Sequence, residues 1–298
     1  MTRRRTIDRR QWLCAALAAG LTACRSFRGS RVDVLPVPTP WPLGPFRWRE
    51  LPSLEPRPGE RLTSPNAVKL AGRIHLFAIE AGALVHAVSD DGERFERRVT
   101  DWGSSETLLD LRVTAREREV LATYRTLGDP DRIRIARLDE ALSELHPITE
   151  TPAGWRPTAT GLLLPMPDGY GQAMIVPTAE GLHLATSSRL MAWPSSCSPL
   201  ALPEDLPAGL RPGFALYARQ GVQVYATTPT DSETPRLTAL ILATSDPRTV
   251  LAARSGIDIT DRPAERSLEE AGGLVRFQGR WLAYATGPAG SIHVLADE

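Results

Sequence analysis

Four charged residues could perform chemistry if the fold brings them together. Asp110 and Glu270 are carboxylates, and such a pair can hydrolyse a glycosidic bond when one activates water and the other protonates the leaving oxygen. Arg156 and Arg211 each precede a proline, and two guanidinium groups can bind a carboxylate or phosphate. The residues therefore predict an acid–base site or an anion site. The alternative is that each arginine pairs with Asp110 or a glutamate and only neutralises its charge.

A weak internal repeat would position these residues. A hydrophobic strand with an aromatic residue near its end recurs, and after a turn a second strand carries a small alanine. The alanines are 49, 49, 58 and 53 residues apart. A period near 50 built from short strands is typical of β-propeller blades, whereas a β-sandwich, the alternative, has no reason for such a period. The repeat alanines are Ala87, Ala136, Ala185, Ala243 and Ala296.

The repeat predicts an all-β fold, a five-bladed β-propeller with the last blade closed by an N-terminal strand. The fifth repeat lacks an outermost strand, and residues 44–51 resemble the outer segment of the first repeat, residues 92–99. Closure of the ring in this way would remove two exposed sheet edges. The starts of the inner strands line one mouth of the channel, where we expect Asp110, Arg156, Arg211 and Glu270.

Residues 1–23 have the layout of an export signal. A basic start with five arginines leads into an apolar run from Trp12 to Ala23, which is too short to cross a membrane as a helix. The run ends at Leu21-Thr22-Ala23-Cys24, which matches the bacterial lipobox, whose cysteine receives diacylglycerol. We therefore expect a lipoprotein signal at 1–23 and a lipid bilayer as partner through Cys24. A plain secretory signal is the alternative.

The same segment also predicts the export route and the membrane to which the protein is sent. Residues 8–13 resemble a twin-arginine motif, with Asp8 in place of Ser or Thr and Trp12 in place of Phe, which predicts export of the folded protein. Arg25 after the cysteine favours the outer membrane if the sorting rule of enteric bacteria applies. Residues 24–45 carry prolines at 36, 38, 40, 42 and 45, which predicts an extended spacer. The propeller domain is expected at residues 46–298.

Net charge and cysteine content limit the classes of partner and of cross-link to be expected. The chain has 35 basic and 35 acidic residues, and removal of residues 1–23, with five arginines and one aspartate, leaves 30 against 34, a net charge of about −4. This balance argues against a nucleic-acid partner. Cys197 is the one cysteine left besides Cys14 and Cys24, so no disulfide is expected. Lys69 and Asn66 are the only residues of their types, which indicates the codon bias of a GC-rich genome.

One blade resembles known propeller families. The segment Leu62–Ala87 is similar to blades of repeat lectins that bind fucose and to blades of five-bladed glycoside hydrolases of the arabinanase and xylosidase type. Residues 89–95, Ser-Asp-Asp-Gly-Glu-Arg-Phe, resemble the turn of these blades and a short sialidase-type Asp box. The resemblance implies a carbohydrate ligand. The hydrolase pattern has Asp-Pro where this chain has Ser64-Pro65, so the implied catalytic base is missing.

Three functions remain open from the sequence. The first is a lipid-anchored binding propeller for a glycan or an envelope protein, and the second is a five-bladed glycoside hydrolase. The third is a non-catalytic scaffold of an envelope complex. Convergent carboxylates in the channel would favour the hydrolase, and a channel plugged by apolar side chains would favour the scaffold. No cofactor or metal is predicted, because the histidines lack ligand spacing and no nucleotide-binding loop is present.

Overall fold

The computed structural model describes residues 41–298 except 101–105, 117–118, 140–141, 143, 167–170, 220, 229–236, 262–267, 288 and 298. Within these ranges the chain forms five β-sheets and one 3-10 helix at Ala153–Trp155, and no α-helix. The predicted all-β fold is confirmed. The predicted signal, Cys24 and the spacer up to residue 40 lie outside the described ranges.

Each sheet is one blade of a propeller. The inner strand of each blade contacts the inner strands of its two neighbours, in the order I, II, III, IV, V and back to I, which closes a ring. The strands are, in blade I, β2 Leu62–Leu70, β3 Arg73–Glu80, β4 Ala83–Ser89 and β5 Glu96–Arg98; in blade II, β6 Leu108–Arg116, β7 Glu119–Thr126, β8 Asp129–Leu138 and β9 Leu145–Glu150; in blade III, β10 Leu162–Leu163, β11 Gln172–Thr178, β12 Gly181–Ser187 and β13 Ser198–Pro199; in blade IV, β14 Arg211–Ala218, β15 Gly221–Thr227, β16 Leu237–Leu242 and β17 Val250–Ile257; and in blade V, β19 Glu270–Phe277, β20 Arg280–Thr286 and β21 Ile292–Asp297, with β1 Phe46–Trp48 and β18 Ile259–Thr260 outside them.

The first two strands of a blade are joined by tight turns. Ala71 and Gly72 link β2 to β3 with φ values of 49° and 79°, and Gln278 and Gly279 link β19 to β20 with φ values of 48° and 85°. Positive φ at both positions matches the twist of antiparallel strands, and glycine adopts it without strain. The end of the propeller that holds these turns is called the turn face. The opposite end, where the inner strands begin, is called the site face.

The repeat predicted from sequence matches the second and third strands of most blades. Ala243 is an exception, because it is half-buried and follows the end of β16. The aromatic residues fill space between blades on second strands, and small alanines on third strands let the next sheet approach. The β-sandwich alternative is therefore wrong. The buried aromatics are Phe77, Tyr124, Tyr225 and Tyr284, and the buried alanines are Ala87, Ala136, Ala185 and Ala296.

The N-terminal strand closes blade V as predicted. β1 pairs antiparallel with β21, with Phe46 opposite Asp297 and Trp48 opposite Leu295. The side chains of Phe46 and Trp48 are buried, so burial of apolar surface adds to the backbone hydrogen bonds. β18, which the sequence pattern did not predict, adds a fifth strand parallel to β1, with Ile259 opposite Phe46.

Packing between blades forms the hydrophobic core. Ile74 and Leu76 of blade I belong to one buried cluster with Leu282 and Tyr284 of blade V. Such dry contacts hold neighbouring sheets in fixed relation and thereby fix the starts of the inner strands. No helix in the part of the chain that the structure describes is long and apolar enough to span a bilayer.

Candidate functional site

The predicted site residues lie at the site face. Asp110 is the third residue of β6, and Glu270 and Arg211 are the first residues of β19 and β14. Arg156 follows the 3-10 helix and precedes β10, with a left-handed φ of 46°. The fold therefore places all four near the beginnings of inner strands, although it does not give all four the same surroundings.

Asp110 is held by Arg125, a buried arginine of β7. Arg125 Nε donates to Asp110 Oδ1 and Oδ2 at 3.1 and 3.0 Å, and Nη2 donates to Oδ2 as well. The N–H of Thr160 donates to Oδ2 at 3.1 Å. The other donors of Arg125 bind the carbonyl oxygens of Pro157 and Thr158 in blade III at 2.9 and 3.0 Å. This charged cluster joins blades II and III.

Glu270 is held by Arg112, a buried arginine of β6. Arg112 Nη2 lies 2.6 Å from Glu270 Oε1, and the Arg112 side chain is only 4% exposed. Arg112 Nε donates to the carbonyl oxygen of Pro212 at 3.0 Å, and Nη1 donates to that of Leu111 at 2.8 Å. The N–H of Ser64 donates to Glu270 Oε2 at 2.8 Å. One guanidinium and one carboxylate therefore tie together blades I, II, IV and V.

Asn66 extends this network. Its Nδ2 donates to the carbonyl oxygens of Ser64 and Leu111 at 2.7 and 3.0 Å, and its Oδ1 accepts the N–H of Val113 at 3.1 Å. The Ser64 hydroxyl oxygen accepts the N–H of Leu111 at 3.3 Å. Interpretation of the sole asparagine as codon bias is therefore incomplete, because this side chain joins the inner strands of blades I and II.

Glycines let the inner strands touch through their backbones. A Cβ atom on Gly272 would lie 1.9 Å from the Pro65 carbonyl oxygen, and one on Gly213 would lie 1.9 Å from that of Ala271. Only glycine permits so close an approach. Blades I, IV and V therefore meet at the axis, and a polar network rather than apolar side chains fills the space beside them.

Arg156 and Arg211 remain exposed on the site face. Neither side chain makes an ion pair or a hydrogen bond with another residue that the structure describes. The alternative drawn from sequence was that these arginines neutralise Asp110 or a glutamate. It named the wrong arginines, because Arg125 pairs with Asp110 and Arg112 pairs with Glu270. The carboxylates are thus neutralised, while the two predicted anion-binding arginines keep their donors available.

Sequence reasoning missed Arg112 and Arg125. Each lies inside a hydrophobic strand, in Leu111-Arg112-Val113 and Tyr124-Arg125-Thr126. An arginine is almost never fully buried unless it is paired, so this pattern was the available signal that each has a carboxylate partner. The identity of the partner was not readable, because it depends on contacts between different strands and blades.

A polar depression of about 490 Å³ lies on the turn face between blades III and IV. Residues that line it bond to one another: Arg248 Nη2 donates to Thr186 Oγ1 at 3.4 Å, and the backbone N–H of Arg248 donates to Asp246 Oδ1 at 3.2 Å. The depression is not continuous with the axial network. Among the described residues, no group of three or more His, Cys, Asp or Glu side chains could hold a metal ion.

Fold and site together define a five-bladed β-propeller in which two arginine–carboxylate pairs join neighbouring blades at the site face. No protein-family model matches the sequence, and no curated protein sequence is significantly similar. Solved structures are similar in fold. A glycosyl hydrolase from Bacteroides ovatus superposes with a TM-score of 0.68 at 15% identity, over 88% of this chain and 96% of that protein.

Two further similar structures belong to proteins that act on mannosides. A GH130 family enzyme, from a family of mannoside phosphorylases that contains hydrolases of β-1,2-mannosidic linkages, has a TM-score of 0.67 at 17% identity, over 88% of this chain and 96% of that one. The β-1,2-mannobiose phosphorylase of Listeria innocua has a TM-score of 0.60 at 12% identity, over 91% and 97%. At these identities the similarity establishes the five-bladed fold.

Proposed function

We propose that this protein is a lipid-anchored envelope protein whose propeller binds a carbohydrate without cleaving it. The observation that carries the proposal is the separation of charges on the site face. Asp110 and Glu270 are bound by buried arginines, whereas Arg156 and Arg211 are exposed and lack a partner among the described residues. The fold that this chain shares with glycosidases and mannoside phosphorylases supports a carbohydrate as the ligand.

The carboxylates are poorly suited to hydrolysis. A glycosidase needs one carboxylic acid to donate a proton and a second carboxylate to activate water. Both oxygens of Asp110 and both oxygens of Glu270 already accept N–H donors, so protonation of either group would break a buried bond. Ser64 stands where the hydrolase pattern has an aspartate. These features favour binding over catalysis.

The exposed arginines favour an anionic group on the ligand. A guanidinium forms two parallel hydrogen bonds with a carboxylate or phosphate, which lysine cannot do. If both arginines contact the same charge, Arg156→Ala and Arg211→Ala should each weaken binding by about 2–5 kcal/mol. The Arg→Lys variants should also bind more weakly. Calorimetric titration with uronic-acid oligosaccharides checks this, and equal affinities for wild type and both alanine variants would contradict it.

A glycan array tests the ligand class. The mature chain, with Cys24→Ser to keep it soluble, should be retained by acidic glycans and lose that retention in the Arg156→Ala/Arg211→Ala double variant. Retention by neutral glycans alone would contradict an anionic ligand. Release of mannose from β-1,2-mannosides that is abolished by Asp110→Asn or Glu270→Gln would instead support the glycoside hydrolase.

The anchor is proposed from the lipobox at Leu21–Cys24, with the outer membrane as the expected location. Cys24→Ala should abolish lipidation, because the thioether at this residue would be the stable attachment to the membrane. Metabolic labelling with a fatty-acid analogue measures this directly, with Cys197→Ala as the matched control that should keep its label. Label that persists on the Cys24→Ala protein would rule out the lipoprotein assignment.

A further inference from the structure

The turn face carries basic residues that the proposed binding site does not use. Arg219 lies in the turn between β14 and β15, Arg276 and Arg280 flank the turn between β19 and β20, and Lys69 is near the end of β2. These four residues are called the basic patch. They belong to blades IV, V and I, which are neighbours in the ring, so the patch is continuous around one side of the axis.

The charges of the basic patch are not neutralised. Arg219, Arg276 and Arg280 are exposed, and none has a carboxylate within ion-pair distance among the described residues. Lys69 is half-buried, with its ammonium 5.8 Å from the centre of the Phe277 ring. By contrast, most arginines of blades I and II pair with an acidic side chain. Four cations on neighbouring blades, without a carboxylate partner in the described part of the chain, create a local positive potential.

The N-terminal segment joins the propeller at the turn face. In blade V, Phe46 pairs with Asp297 at the end of β21, Ala296 pairs with Leu282 in β20, and Trp281 pairs with Arg276 in β19. This register places the beginning of β1 at the end of the sheet that carries the β19–β20 turn. The chain therefore enters β1 at the end of blade V that holds Arg276 and Arg280.

Side-chain contacts fix the segment in this place. The N–H of Leu43 donates to the Tyr225 hydroxyl of blade IV at 2.9 Å, and that of Gly44 donates to Asp297 Oδ1 at 3.1 Å. Burial raises the pKa of Asp297, and its carboxylate serves the Gly44 N–H. Asp297, the carboxylate at this end of blade V, thus binds the backbone of the N-terminal segment and does not pair with the arginines of the patch.

Two tryptophans flank this region. Trp41 and Trp281 are half-buried and pack against the same hydrophobic cluster between blades IV and V. Tryptophan with one side buried and one side exposed, next to exposed arginines, suits the interface between a bilayer and water, where aromatic rings settle at the level of the headgroups.

We propose that the basic patch docks on anionic phospholipid headgroups of the membrane that holds the anchor, so that the site face points away from the bilayer. The proposal rests on the lipid anchor at Cys24. The patch and the beginning of β1 lie at the same end of blade V, so a tether that leaves the domain there would bring the cations to the headgroups. Each arginine close to such a surface contributes roughly five-fold to membrane affinity.

Vesicle sedimentation of an unlipidated protein isolates the patch from the anchor. The mature chain from residue 24, carrying Cys24→Ser, is mixed at low salt with vesicles of phosphatidylcholine alone or of equal parts phosphatidylcholine and phosphatidylglycerol. Binding should require phosphatidylglycerol and weaken with salt. Arg276→Gln/Arg280→Gln should reduce it about 25-fold. The matched control Arg61→Gln/Arg132→Gln removes the same charge from exposed arginines near the beginnings of β2 and β8, outside the proposed ligand site, and should leave binding unchanged.

Three results of this experiment would contradict docking on phospholipid headgroups. Equal losses in the two double variants, or equal binding to both kinds of vesicle, overturn the docking proposal. Retention on dextran sulfate without binding to vesicles also overturns it and assigns the patch to a soluble polyanion. Lipidation is measured separately, by fatty-acid labelling of wild type. A labelled protein whose Cys24→Ser form ignores phosphatidylglycerol therefore has the anchor without the docking surface.

Discussion

At the residue scale, two buried arginines join neighbouring blades. Arg112 and Arg125 donate to carbonyl oxygens of other blades as well as to their carboxylates, so each acts as a bridge between sheets that share few backbone hydrogen bonds. Burial of a charge is costly unless every donor finds an acceptor. Both guanidinium groups bind a carboxylate and carbonyl oxygens of neighbouring blades, so Asp110 and Glu270 are held in ion pairs.

Loss of Arg125 should destabilise the domain strongly. Arg125→Met keeps much of the side-chain volume but leaves the largely buried Asp110 without its counter-ion, and such losses cost about 3–5 kcal/mol. Urea denaturation measures the change. The control Arg132→Met removes an exposed arginine that pairs with Glu150 and should cost less than about 1 kcal/mol. A similar small effect for both variants would show that the Asp110 pair is not structural.

The double variant Arg125→Met/Asp110→Leu refines this test. It removes both charges, so the unpaired carboxylate that dominates the single variant is gone and much of the stability should return. Failure of the double variant to recover relative to Arg125→Met would indicate that the carbonyl contacts with Pro157 and Thr158, rather than the ion pair, carry the energy.

At the element scale, β1 is a short strand with a large effect. Its side chains alternate, with Phe46 and Trp48 buried and Arg47 exposed, so one face completes the core between blades IV and V. The sequence pattern predicted this closure from similarity between residues 44–51 and 92–99. It did not predict β18, because two residues without hydrophobic alternation carry no strand signal.

Phe46→Ala should therefore lower the free energy of unfolding by about 3–5 kcal/mol, because it leaves a cavity where a fully buried ring was. Arg47→Ala, on the exposed face of the same strand, is the matched control and should cost less than about 1 kcal/mol. Thermal melting followed by circular dichroism compares them. An Arg47→Ala protein that melts as low as Phe46→Ala would argue against closure through the buried face.

A histidine pair on β3 and β4 should make stability depend on pH. His75 Nδ1 and His86 Nε2 are 3.0 Å apart and share one hydrogen bond, and His86 stacks on Phe77. Burial, then the neighbouring His75 and Arg98, lower the pKa of His86 to about 4. Burial, together with nearby arginines, lowers the pKa of His75 as well. The folded protein therefore favours the neutral form of both rings.

The sign of the pH dependence follows from linkage. The unfolded chain takes up protons near the ordinary histidine pKa, so stability is complete above about pH 6.5 and falls as the pH drops towards about 4. The loss from His86 is on the order of 3 kcal/mol. Urea denaturation across this window should show a flatter profile for His86→Gln than for wild type. The exposed His146→Gln variant should keep the wild-type slope, and equal slopes in all three would contradict the assignment.

At the scale of the whole molecule, the period near 50 was enough to predict the fold, because most blades repeat a buried aromatic residue on the second strand and a small alanine on the third. The same reasoning placed Asp110 and Glu270 near the starts of inner strands. It could not identify their partners Arg112 and Arg125, because spacing along one strand does not reveal which side chains of other blades come within reach. The role of Asn66 was hidden for the same reason.

Closure of the ring by β1 also orders the events of synthesis. Phe46 and Asp297 are about 250 residues apart in the chain and are direct partners in the sheet. Contacts of such separation form late, since a long loop must close first. While the ribosome is still translating blade V, β1 lacks its antiparallel partner β21, so Phe46 and Trp48 cannot complete their packing. The ring can close only after β21 has been synthesised, so a product truncated before β21 would keep a first strand without its antiparallel partner, which chaperones and proteases can recognise.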